Sequence, residues 1–149
     1  MNINDIITRI KEHQQELGLT LYASASDEKI AHAEAILKLT FPEDFKTFYK
    51  FCNGLESDGD LFRIVPLEEI IDNEKNKSLL PHQFHIAEYM DYCDMWTLDV
   101  NTSASSYSIF NEAEDVVTLT DSFALFLERF LDKGIFEGLC DWRTEITRS

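Results

Sequence analysis

A catalytic or metal centre in this chain would have to be assembled from three cysteines, four histidines and 28 carboxylates. A cysteine nucleophile needs a histidine base within hydrogen-bond reach. Cys93 and His85, on either side of a turn, come nearest to that requirement. Cys52 lies on the apolar side of a Phe-rich helical stretch, where a buried structural thiol is the ordinary outcome. His82 and His85 form an HxxH pair that Asp91, Cys93 and Asp94 would have to complete, because zinc takes three or four protein ligands. Asp58-Gly59-Asp60 is half a calcium loop, without the further acids and terminal Glu of an EF-hand. Surface histidines and a solvated turn are the stronger readings of both, so no metal and no cofactor is expected. The glycines at 18, 54, 59, 134 and 138 fit no phosphate-binding fingerprint. Carboxylate pairs are too abundant to select one. The chain reads as a binding protein and not as an enzyme.

Charge is more informative. The formal net charge is −15, with 13 bases against the 28 acids. Residues 51–128 carry sixteen acids and only Arg63, Lys75 and Lys77, a balance of −13, whereas residues 1–50 and 129–149 are close to neutral. A field of this sign repels nucleic acid and anionic membranes and attracts basic proteins. Three widely spaced cysteines do not make a disulfide framework. The segment from Met1 to Leu17 is too charged for a secretory h-region, and no apolar run approaches the roughly 20 residues of a membrane span. The expectation is one cytoplasmic domain over residues 1–149.

The elements that would position these groups follow from periodicity. Ile3, Ile6, Ile7, Ile10 and Leu17 mark a helix over residues 4–17 that stops at Gly18. Ser24 or Ser26 caps a second helix from Asp27 to Leu39. A third starts with Pro42 in its first turn and ends at Asn53-Gly54, read as a left-handed cap. Period-two patterning then predicts strands near 61–65, 83–89, 95–100, 107–110 and 116–119, with a helical turn at 66–71. Asp121 or Ser122 caps a helix to Lys133, and the tail from Ile135 reads as a further helix. The order predicts an α+β fold, with a mainly antiparallel mixed sheet packed against N- and C-terminal helices.

Several stretches, taken in order, are familiar. They are Ser26-Asp27-Glu28-Lys29-Ile30, Ala33-Glu34, Phe41-Pro42-Glu43-Asp44-Phe45 and Asn53-Gly54. Leu61-Phe62-Arg63-Ile64, Pro66-Leu67-Glu68-Glu69-Ile70, Trp96 to Asp99, and Asp121-Ser122-Phe123 follow them. This succession, from about residue 24 to 131, resembles the SUKH superfamily, which includes fungal cell-wall-synthesis regulators and bacterial immunity proteins. The loop around Asp91–Asp94 departs from the pattern by lacking glycine, and Thr40-Phe41 stands where an apolar residue and Leu are usual.

The resemblance implies an α+β binding protein that neutralises a toxin, often a nuclease, and it implies no catalytic residues. The alternative is a non-catalytic regulatory scaffold that binds a cellular partner. A basic nuclease suits the charge reading, since carboxylates can occupy the places of phosphates. The expected contact residues are Glu56, Asp58, Asp60, Asp91, Asp94, Asp99, Glu112, Glu114 and Asp115. Tyr92, Trp96 and Tyr107 are candidate aromatic anchors, with core packing the stronger reading of Trp96. No nucleic-acid or membrane partner is expected, and the oligomeric state is left open.

Overall fold

The computed structural model describes residues 1–72, 76–101, 106–113 and 115–148. Helix α1 (Ile3–Leu17) starts in a capping box between Asn2 and Asp5 and ends at Gly18 in the left-handed conformation. Strand β1 (Leu19–Leu21) precedes α2 (Asp27–Leu37), whose N-cap is Ser26. Helix α3 (Glu43–Phe51), strands β2 (Leu55–Ser57) and β3 (Phe62–Ile64), and the short α4 (Leu67–Ile70) follow. Then come β4 (Gln83–Tyr89), β5 (Asp94–Asn101), β6 (Ser106–Glu112) and β7 (Val116–Thr120). The chain closes with α5 (Phe123–Lys133), a π-type stretch (Gly134–Cys140) and α6 (Asp141–Arg148).

The seven strands lie in sequential order and every pairing is antiparallel, so the sheet is a pure meander and not a mixed sheet. One face is apolar and packs on the helices. Phe62, Ile64, Phe84, Trp96, Leu98 and Ile109 meet Ile6 and Ile10 of α1, Phe45 and Phe48 of α3, and Phe123 and Phe126 of α5 in one buried cluster. Aromatic rings hold its centre: Phe45 contacts Phe41, Tyr49, Phe84 and Phe123 at centroid separations of 4.4 to 5.8 Å. Phe41, Phe45, Phe48 and Tyr49, in the stretch that carries much of the resemblance, are therefore core residues.

Three sequence expectations are corrected. The connection after Gly18 and the residues after Gly54 form short strands, β1 and β2, which pair in register Leu21↔Leu55. Three residues give too few alternations for a period-two signal, so only the pairing reveals them. Pro42 is the residue before α3 and not its first helical residue. Asn53-Gly54 is not the cap of α3, which ends in extended backbone at Cys52.

The Asn53-Gly54 pair serves the packing of β3 and α4 instead. Asn53 Oδ1 accepts from the Leu67 N–H at 2.9 Å and so caps α4 from a distance. Its Nδ2 donates to both oxygens of Glu68. Gly54 has φ +93°, and a Cβ there would stand 2.3 Å from the Ile64 carbonyl oxygen. Both the dihedral and the close approach exclude a side chain. Gly54→Ala is therefore expected to cost about 3 kcal/mol or more. Urea unfolding measures this, and a loss under 1 kcal/mol would contradict the role given to Gly54.

Candidate functional site

In an up-and-down meander, alternate turns fall at the same end of the sheet. The β2–β3, β4–β5 and β6–β7 turns share one end here, because Phe62 pairs with Tyr89, Tyr89 with Asp94, and Glu112 with Val116. That places Asp58, Asp60, Asp91, Glu112 and Asp115 along one edge of the molecule, all exposed. Glu114 lies outside the described residues.

Side-chain alternation then sorts the acids by face. Glu56 pairs with Arg63, Arg63 with Glu88, and Glu88 with Met95, a row on the face turned away from the helical core. A β-bulge makes this row possible. Between His85 and Ala87 the register with β5 shifts by one, so His85 and Glu88 point to the same face despite their odd spacing. Without the bulge Glu88 would point into the apolar core.

Glu88 is nevertheless only 2% exposed, so its charge needs partners. Arg63 Nε donates to Glu88 Oε1 at 2.6 Å. The two terminal nitrogens of Arg63 donate to both oxygens of Glu69 on α4 at 2.8 and 2.9 Å, a bidentate pair. Tyr92 completes the group: its N–H donates to Glu88 Oε2 and its hydroxyl to Glu69 Oε2, each at 2.8 Å. Arg63 and Tyr92 together thus link β3, β4, α4 and the β4–β5 turn through the two carboxylates. Its pKa is raised, chiefly by the bond to Glu69.

Beside this clamp lies a pocket of about 590 Å³, lined by Glu56, Ser57, Asp58, Leu61, Phe62, Arg63, Glu88, Met90 and Asp91. Four lining residues are acids and one is a base, and that base is already committed to carboxylates. Asp58 accepts from the Thr20 hydroxyl, Glu56 from the Tyr22 hydroxyl, and Asp60 from the Ser57 hydroxyl. None of these partners neutralises a charge. Leu61 and Met90 stand at the mouth, 66% and 44% exposed. Both residues, with Asp91 and Tyr92, have φ between +52° and +66°. Four non-glycine residues in the left-handed region are unusual, and three of them are consecutive. A hydrogen bond from Met90 N to Leu61 O joins the two turns.

The expected contact residues therefore divide. Glu56, Asp58, Asp60, Asp91 and Tyr92 gather at this pocket and its clamp. Glu112 and Asp115 lie further along the same edge. Asp94 faces the helical side, where Asn111 Nδ2 donates to it at 2.8 Å. Asp99 is at the opposite end of β5 and takes a bond from Gln83, with His82 3.4 Å away. Trp96 is core, packed edge-on to Phe62. Tyr107 is also structural, donating to Asp44 and accepting from the Phe123 N–H.

His85 is buried with its Nδ1 2.9 Å from the Thr97 hydroxyl, while His82 lies 3.4 Å from Asp99, so the two histidines of the HxxH pair have different partners. Among the described residues no group of three or more His, Cys, Asp or Glu is arranged to hold a metal ion. Cys93 is exposed and Cys52 buried, the latter pushed up to about 12 by burial. Arg63, Glu69, Glu88, Leu61 and Met90 are not among the contact residues expected from the sequence. The available signals were an isolated base in an acidic stretch and lone apolar residues inside polar turns.

Residues 24–129 match the model of the SMI1/KNR4 family (SUKH-1). A search of curated proteins found no match. No helix among the described residues is long and apolar enough to cross a membrane.

Two outcomes follow. Arg63→Met leaves the buried Glu88 without a cation and is expected to cost about 3 kcal/mol in urea unfolding, whereas Asp91→Asn stays within about 0.5 kcal/mol. Equal effects of the two substitutions would contradict the clamp. The hydroxyls of Tyr49, Tyr92 and Tyr107 are raised, in each case by burial before any other cause, as is the Cys52 thiol. The folded state then holds these protons at pH values where the unfolded chain has lost them. This stability is complete below the unfolded values and declines as pH rises, so the urea midpoint should fall above about pH 9. A midpoint flat to about pH 11 would show the opposite.

Proposed function

The chain belongs to the SMI1/KNR4 family (SUKH-1), and from that premise we propose that it is an immunity-type binding protein. It neutralises a toxin, a basic nuclease, by covering the toxin's phosphate-binding surface with carboxylates. The family includes toxin-immunity proteins, whose members bind partner proteins. In this reading the protein is one cytoplasmic domain that acts by binding and carries out no catalysis of its own.

One observation carries the assignment of the surface. Glu56, Asp58 and Asp91 line a single pocket with exposed Leu61 and Met90 at its mouth, and Asp60 adjoins it. Carboxylates without cationic partners steer a basic protein and set the orientation of the encounter. Exposed apolar side chains beside them supply contact area that holds the complex once formed. Glu112 and Asp115, along the same edge, extend the acidic field toward β7.

The test is co-expression with the toxin-like product of the neighbouring gene, followed by measurement of complex formation at low and high salt. Rescue of growth is expected, with a complex that weakens as salt rises. The variant E56Q/D58N/D60N/D91N should slow association by about tenfold or more at low salt. Its unfolding midpoint should stay at or above the parent's, since like charges are removed. No rescue, together with capture of a non-toxic cellular protein, would favour the regulatory-scaffold reading instead.

A further inference from the structure

We propose that the pocket between the β2–β3 and β4–β5 turns is a socket for one lysine or arginine side chain of the partner. This rests on the partner-binding reading above and adds the chemistry that fills the cavity. The aliphatic stem lies between Leu61 and Met90, and the charged tip reaches Asp58 and Asp91.

The shape and composition of the cavity select this occupant. Its volume of about 590 Å³ accommodates a long side chain with room for water. Leu61 and Met90 are the two large apolar side chains exposed at its mouth. Lysine and arginine pair an apolar stem with a charged end, and they match a site that offers apolar walls and carboxylates together. A purely aliphatic side chain would desolvate the acids without compensation. A free metal ion would make no use of Leu61 or Met90.

The acceptors are available. Glu88 is spent on Arg63 and Tyr92, and Glu56 accepts from Tyr22. Among the described residues Asp58 accepts a side-chain hydrogen bond from the Thr20 hydroxyl alone, and a threonine leaves its charge intact. Asp91 has neither a side-chain hydrogen bond nor an ion pair among the described residues. The left-handed backbone at Leu61, Met90 and Asp91 sets where all three side chains leave the chain, around the pocket.

The experiment uses the whole protein in NMR titrations with Nα-acetyl-arginine amide and Nα-acetyl-lysine amide. The neutral controls are the corresponding citrulline and norleucine amides. The Met90 methyl and the amides of Leu61 and Asp91 should shift saturably with the cationic amides, and the controls should bind about tenfold more weakly. The double variant L61N/M90N should abolish the saturable shift while keeping its thermal midpoint, because Asn tolerates the left-handed conformation. D58N/D91N should remove the preference for arginine over citrulline. Equal binding of citrulline, shifts scattered over the acidic surface without saturation at Met90, or unchanged binding in L61N/M90N would overturn the socket. Such a failure alongside an intact, salt-sensitive toxin complex would reject the socket alone. Socket binding without toxin neutralisation would uphold the socket and reject the immunity reading.

Discussion

Arg63 donates three hydrogen bonds to two carboxylates, and much of the outer face of the sheet is arranged around that pairing. A carboxylate as deeply buried as Glu88 is stable only with a cation and further donors beside it. The bulge in β4 aims Glu88 at Arg63, α4 presents Glu69 to the other side of the guanidinium, and Tyr92 folds over both acids. Each of these features satisfies the others. The left-handed run from Met90 to Tyr92 fits the same scheme, since Tyr92 reaches the acids from a turn with that geometry. Strained backbone persists only where its surroundings fix it, and here the surroundings are the buried Glu88, the partly buried Glu69 and their shared cation.

The clamp also sorts the charges on this face. It gives Glu69 and Glu88 a shared cation, with one negative charge left over, and leaves the exposed acids of the turns without an ion pair. Arg63 pairs with Glu69 and Glu88, whereas Asp58, Asp60 and Asp91 form no ion pair with a base among the described residues. The meander topology adds to this by stacking alternate turns at one end, so acids far apart in sequence share an edge. A rigid, net-negative rim with apolar side chains at its centre is suited to a basic protein surface: charge governs the encounter and the apolar contact governs release.

Much of the fold was legible in the sequence because its signals are local. Ser26 and Ser122 cap helices as their residue types suggest, and β4 runs from Gln83 to Tyr89 as the alternation indicates. What escaped depends on pairing. The strands β1 and β2 exist because Leu21 meets Leu55, and no periodicity in three residues announces that. The site was legible in part for the same reason. Turn acids such as Asp58 and Asp91 could be named from composition, but Asp94 and Asp99 could not be set apart from them without register. The bulge that turns Glu88 outward is invisible in sequence, as is the use of Leu61 and Met90 on the surface. The missing glycine near Asp91 was visible, and it marks the strained turn.

The most direct test of the acidic end as the binding surface is hydrogen–deuterium exchange of the protein, free and in complex with its basic partner. Protection confined to residues 56–63 and 88–93, with residues 82–86 and 97–101 unchanged, is the expected result. Unchanged exchange at both turns, with protection at the His82 and Asp99 end or on the helices, would contradict it.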